Sequence, residues 1–284
     1  MLFAGVIGLI GCGPPTSLTP VFDPVFDELP HALADEDPVL TDLWPAPGTA
    51  GTLVLSQPTI KPGRIIKVYL DPGHGAPGNS GNRSATCQWE MQATLSIATD
   101  LAEALTNTGR FAVKIGRKSG QRTRYQDRVA QADAWGADVF VSLHTDNRDF
   151  DESKLWSPKP GQQCRRSDQM PGVLVIYSDE GPLTSQRREL ALSMIKGFEA
   201  VGFPLYDGAD YPANMYIADK ASPSVLLDRR AKGIYVLRRP TMPSVLIELY
   251  HSWNLEEQRR WGEARTRRVF EQVMIRSLLE VEDR

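Results

Sequence analysis

Residues 138–144, Asp-Val-Phe-Val-Ser-Leu-His, decide the fold. Val139, Phe140, Val141 and Leu143 run almost without polar alternation, as expected of a strand covered on both faces. Outward from it the pattern alternates. On the amino-terminal side, Ile65 to Leu70 is a β-rich run ending at Asp71-Pro72-Gly73. A helix from about Trp89 to Thr106 follows, with Met91, Leu95, Ala98, Leu101 and Leu105 on one face. Then come a strand over Phe111–Ile115 and a helix over Tyr125–Trp135 closed by Gly136. On the carboxyl side, Arg148 to Pro171 is a polar, Pro/Gly-punctuated excursion. Val173–Tyr177 reads as a strand, Leu183–Val201 as a helix, and Gly202–Pro223 as irregular and rich in aromatics. Ser244–Leu249 is a last buried strand, and Leu255–Glu280 reads as one long charged helix. The expected fold is α/β: a mostly parallel twisted sheet of about six strands with helices on both faces, forming a single catalytic domain. Ligands in such sheets gather beyond the carboxyl ends of the strands.

The chain has 284 residues, 41% of them hydrophobic and 24% charged, which excludes collagen-like, coiled-coil and wholly disordered classes. A net charge of −3 gives no basic footprint, so nucleic acid is not an expected partner. No apolar run reaches the ~20 residues that span a bilayer. The totals hide an asymmetry: the first basic residue is Lys61, and before it lie seven of the 35 acids and nine of the 21 prolines. Three segments follow from this. Residues 1–12 read as an export signal whose Leu9-Ile10-Gly11-Cys12 resembles a bacterial lipobox, with Cys12 as the lipidated residue. Residues 13–60 read as a Pro/Asp-rich tether, and 61–284 as the catalytic domain. Any membrane contact would come through the lipid anchor alone, and a monomer is expected. With Cys12 lipidated, Cys87 and Cys164 are left as a candidate disulfide for an oxidising compartment, two free thiols being the alternative.

Chemistry gathers at strand ends. His74 sits in the turn Asp71-Pro72-Gly73-His74-Gly75 directly after one strand, and His144 closes another. Glu90 opens the helix after the first strand, and Glu248 lies near the end of the last. Two imidazoles and a carboxylate converging on one sheet edge match the His₂Glu set of a catalytic zinc, and a further carboxylate would be a general base. Each has a structural alternative: a capping His74, a core His144, or a Glu90 that favours the helix dipole. Glu248 is the hardest to dismiss, because a carboxylate among Val, Leu and Ile is costly unless paired or functional.

Val68 to Gly75, then Glu90, then Val141 to His144, then Met242 to Asn254 resemble, in order and spacing, the zinc-dependent N-acetylmuramoyl-L-alanine amidases of the Amidase_3 type. These are the periplasmic cell-separation and spore-cortex amidases. The resemblance covers about Ile65 to Leu279. It implies that His74, Glu90 and His144 hold Zn2+, that Glu248 is the catalytic carboxylate, and that Asn254 has a supporting role. It also implies peptidoglycan as substrate, hydrolysis of the amide between the muramoyl lactyl group and L-alanine, and a periplasmic or envelope location. The chain departs from the family at Ala76, where a second glycine is usual, and at Asp146, a possible supporting residue where an asparagine is usual. His251 replaces an aromatic and is expected to add a polar contact to the substrate groove. Arg148–Pro171 looks like an insertion.

Two rival readings use the same residues: another zinc cell-wall peptidase acting on the stem peptide, and a catalytically silent wall-binding module. Some members of the family carry a segment that blocks the cleft until an activator protein displaces it. Gly202–Lys232 lies where such a segment could sit, although a connecting loop with a short helix is the simpler expectation.

Overall fold

The computed structural model describes residues 63–280, apart from 152, 213, 231 and 232. The export segment 1–12 with Cys12 and the tether 13–60 lie outside the described residues. Strand β1 (Ile66–Pro72) leads through a loop into helix α1 (Glu90–Asn107), then β2 (Phe111–Ile115), α2 (Tyr125–Trp135) and β3 (Val139–Asp146). A small hairpin, β4 (Lys154–Trp156) and β5 (Cys164–Arg166), comes next. It is followed by β6 (Leu174–Tyr177), α3 (Thr184–Ala200), β7 (Tyr216–Asp219), β8 (Ser222–Asp228), the short α4 (Tyr235–Arg238) and β9 (Ser244–His251). Helices α5 (Leu255–Gly262) and α6 (Ala264–Leu279) close the described chain.

The main sheet has seven strands in the order β2-β1-β3-β9-β6-β8-β7. It is parallel from β2 to β9 and between β6 and β8, and antiparallel at β6/β9 and β7/β8. The strand count exceeds the expected six because Gly202–Lys232 is not a loop with a short helix. It contains β7 and β8, and β8 carries buried Val225 and Leu226 into the sheet. Both faces are covered, as the apolar run at 139–143 requires. Val139, Val141 and Leu143 join Leu101, Leu105, Met194, Phe198 and Phe270 of α1, α3 and α6, while Phe140 faces Val129 and Ala132 of α2. The buried stripe of α1 is Glu90, Thr94, Ile97, Ala98, Leu101 and Leu105, rotated slightly from the expected face because Met91 and Leu95 sit at its margin. The last helix divides in two at Glu263, whose ψ of 132° is extended, so α6 turns onto α3.

The turn after β1 is held by charge. Asp71 is buried, and its carboxylate accepts hydrogen bonds from Arg128 Nη1 at 2.7 Å and from Ser142 Oγ at 2.7 Å. The fully buried Arg128 guanidinium also donates to the carbonyls of Pro72, His74 and Thr123. Arg117 approaches from the other side and donates to Pro72 O, Gly73 O and Met91 O. Breaking a buried pair from one side strands a charge, which costs roughly 3–5 kcal/mol. Arg128→Ala is therefore expected to lower unfolding free energy by about that amount in urea titration, with Asp71→Asn/Arg128→Met recovering part of it. A loss below about 1 kcal/mol, the range of exposed pairs, would contradict this account.

Candidate metal centre

Three neighbouring parallel strands deliver the site. His74 follows β1, His144 is the sixth residue of β3, and Glu248 stands opposite His144 in the β3/β9 register. Glu90 is the first residue of α1 and points back under the sheet edge. Its Oε2 lies 2.9 Å from His74 Nε2 and its Oε1 3.0 Å from His144 Nδ1. One ligand atom from each of His74, Glu90 and His144 falls within 4.8 Å of the others.

Space and donors are reserved around these three groups. A Cβ at Gly81 would lie 2.6 Å from Glu90 Oε2, and one at Gly73 would lie 2.6 Å from His144 Cε1. Asn82 clamps Glu90 by donating its backbone N–H (3.1 Å) and Nδ2 (2.8 Å) to Oε2, while Thr145 N–H donates to Oε1 at 3.0 Å. Two nitrogens and one carboxylate, with the carboxylate fixed by three donors, fit a mononuclear catalytic metal that keeps a position open. The backbone of His74 is at φ +60°, a conformation costly for a non-glycine residue and held here by the Arg128 contacts to the turn.

The charge state of the cluster has physical causes. Burial opposes the protonated imidazole of His74, but its hydrogen bond and attraction to Glu90, with the bond to Asn79, outweigh that and raise its pKa above 6.5. Burial alone would push Glu90 up, yet the bonds from His144 and His74 pull it below the usual carboxylate range. Glu248 goes the other way: burial, then the charges of Asp146 and Glu90, raise its pKa well above normal against Arg148 and Arg230. Its Oε2 is buried without a hydrogen-bond partner.

The remaining predicted residues have clear places. Asn254 is the N-cap of α5, its Oδ1 accepting from Glu257 N–H at 3.0 Å, and it lies outside the cluster. Asp146 pairs with fully buried Arg148 (2.9 Å) and accepts from Tyr211 Oη. His251 does not reach a substrate groove. It is fully buried, its Nδ1 accepts from Arg148 N–H at 3.2 Å, and burial and then Arg148 push its pKa down to about 4. Cys87 and Cys164 form a disulfide with Cα atoms 5.6 Å apart, joining the loop before Glu90 to the hairpin of the 148–171 excursion. Sequence reading missed Asn79, Asn82, Arg117, Arg128 and Arg148. Their one legible signal is that a buried Asp71 and a turn of inward carbonyls need donors from elsewhere.

Residues 68–278 match the profile of the N-acetylmuramoyl-L-alanine amidase family, Amidase_3, and the chain belongs to that family. It is 37% identical over 86 residues to the sporulation-specific N-acetylmuramoyl-L-alanine amidase of Bacillus subtilis (strain 168), a match covering 29% of this chain and 32% of that protein. It is 27% identical over 255 residues to N-acetylmuramoyl-L-alanine amidase AmiC of Escherichia coli O6:H1, covering 83% of this chain and 54% of that one. The chain thus spans between about a third and about half the length of these relatives. The crystal structure of an N-acetylmuramoyl-L-alanine amidase from Clostridium difficile 630 shares the fold, with a TM-score of 0.58 at 21% identity over 78% of this chain and 98% of that chain.

A metal ion needs unprotonated imidazoles, so protons compete for the site. Because the His74 pKa is raised, that competition begins above pH 6.5 and strengthens on acidification. The apparent dissociation constant of a divalent metal is expected to rise about tenfold per pH unit below that pKa for each proton displaced, read by competition with a chromophoric chelator. Affinity constant from pH 8 to pH 5 would contradict it.

Proposed function

We propose that this chain hydrolyses the amide between the lactyl group of N-acetylmuramic acid and the L-alanine of the peptidoglycan stem peptide, with Zn2+ held by His74, Glu90 and His144. The observation that carries the reading is the meeting of His74, Glu90 and His144 at the sheet edge where β9 also delivers Glu248. When bound, zinc supplies a Lewis acid and brings the pKa of water toward about 7. The protein's own groups do the rest. Glu90, anchored by Asn82 and Thr145, keeps both imidazoles facing the centre. Glu248 has a high proton affinity and a free oxygen, which suits a general base that must later act as an acid. It takes a proton from the water that attacks the lactyl carbonyl carbon. It returns that proton to the alanine nitrogen as the C–N bond breaks, leaving a muramoyl carboxylate and a free stem peptide.

A peptidoglycan substrate supports a location outside the cytoplasm, in the cell envelope. Residues 1–12 are proposed as the export and lipidation segment, 13–60 as the tether, and 61–284 as the catalytic domain. Among the described residues no helix is long and apolar enough to cross a membrane.

The test is mass spectrometry of the products from purified peptidoglycan and the zinc-loaded chain. Free stem peptides beginning at L-alanine are expected, with Glu248→Gln slowing their release by about 10²–10⁴-fold, the usual contribution of a general base. Peptides cut internally would move the assignment to an endopeptidase, and an unslowed Glu248→Gln enzyme would remove Glu248 from catalysis.

A further inference from the structure

We propose that Asn79 is a positioning residue of the metal centre: it fixes His74 in the Nδ1–H tautomer, so that the Nε2 lone pair is the one offered to the metal. The inference rests on the reading of His74 as a ligand.

Local sequence brings Asn79 there. Ala76-Pro77-Gly78-Asn79 closes a turn in which Asn79 N–H donates to Ala76 O at 2.9 Å, with Pro at the second position and Gly78 at φ +75° at the third. Those residues at those positions specify a type II turn. Gly75 N–H donates back to Asn79 O at 2.8 Å, so the turn returns the Asn79 side chain beside the His74 ring.

The direction of the hydrogen bonds then follows by elimination. Gly81 N–H can only donate, and it reaches the Asn79 side-chain oxygen at 3.0 Å, so that atom is the carbonyl Oδ1 and not the amide nitrogen. The other terminal atom, Nδ2, donates to Tyr125 Oη at 2.9 Å, which agrees. His74 Nδ1 stands 2.8 Å from the same Oδ1. Facing an acceptor that is already oriented, Nδ1 must carry the hydrogen. Nε2 stands 2.9 Å from Glu90 Oε2, which also only accepts, so in the metal-free chain both ring nitrogens meet acceptors; with a metal in place of the Nε2 hydrogen, the Nε2 lone pair would be the one bonded and Nδ1–H would stay on Asn79. With a metal on Nε2, an Nδ1 without its hydrogen would set two lone pairs against each other at Asn79 Oδ1. Partners that set the tautomer of a ligand histidine commonly contribute 10–100-fold in metal affinity.

The experiment uses the full chain and two readouts. Long-range ¹H–¹⁵N NMR of the zinc-loaded wild type is expected to show His74 with a hydrogen on Nδ1 and none on Nε2; an Nδ1 without a hydrogen there overturns the proposal without any variant. Zinc affinity is measured by chelator competition for wild type, Asn79→Leu, Asn79→Asp and His74→Ala. Asn79→Leu, similar in size but with no acceptor, is expected to weaken binding by about 10–100-fold. Asn79→Asp restores the acceptor for both Nδ1–H and Gly81 N–H and is expected to bind close to wild type. If His74→Ala abolishes binding while Asn79→Leu leaves it unchanged, positioning by Asn79 is wrong and the ligand reading stands. If His74→Ala itself leaves affinity unchanged, the ligand reading falls and this inference with it.

Discussion

A carboxylate at the end of a strand buried on both faces is the constraint on which the site depends. Asp71 cannot remain charged there without a partner, and Arg128, from α2, supplies it at 2.7 Å. Such a pair gives little net stability, because desolvation consumes most of the attraction. What it gives is position. A guanidinium has five donors in a fixed plane, and Arg128 spends those left over on the carbonyls of Pro72, His74 and Thr123. The turn is thereby locked onto the helix below it, and His74 is kept in a backbone conformation that a non-glycine residue would otherwise leave. Arg117 adds a second set of ties to Pro72 and Gly73 from the opposite direction. Two buried cations thus define the loop that carries His74 to the candidate metal centre.

Much of this could be read from sequence and some of it could not, for identifiable reasons. Residues 66–70, 139–144 and 244–249 announce themselves as strands because both of their faces are buried, so neither alternation nor environment obscures the apolar run. His74, His144 and Glu248 were legible as a group because each sits at the end of such a run. β7 stayed hidden because it is an edge strand with Ile217 and Ala218 exposed, and its residues resemble an aromatic loop. The break between α5 and α6 was missed because no proline marks it; Gly262 alone precedes the extended Glu263. The arginines are a different kind of failure. Arg128 lies 57 residues from Asp71, and on α2 it reads as an ordinary surface charge until the sheet beneath it is known.

Asp146, His251 and the 148–171 excursion become a single feature once Arg148 is placed. Asp146 supplies the negative charge that Arg148 needs in a fully buried position. His251 receives the Arg148 backbone N–H on its unprotonated Nδ1, and burial and then the nearby guanidinium favour that neutral form. The 148–171 excursion begins at Arg148 itself, whose guanidinium donates to Met170 O and Gly172 O at the far end of the same excursion. It also lies 3.9 Å from the centre of the Tyr206 ring. One arginine thus closes the base of the excursion, and the residues that seem unrelated in the sequence are the counter-charge and the acceptor that its burial demands. Asp146 also receives Tyr211 Oη, so the foot of the excursion and the aromatic stretch before β7 share an anchor that acts electrostatically on Glu248.

The hairpin of the excursion is tied to the candidate metal centre by an independent route. Cys164, in β5, is bonded to Cys87, three residues before Glu90, and Trp156 Nε1 in the partner strand donates to Ala85 O. Ala85 N–H in turn donates to Ser252 O, and Trp253 Nε1 donates to Arg83 O. The loop that carries Asn82, and with it the clamp on Glu90, is therefore held between the hairpin and the end of β9. A covalent tie mainly removes freedom from the unfolded chain, but its placement here also restricts the native loop. The excursion acts as a brace on the loop that carries Asn82: its base is set by a buried charge and its hairpin by a disulfide.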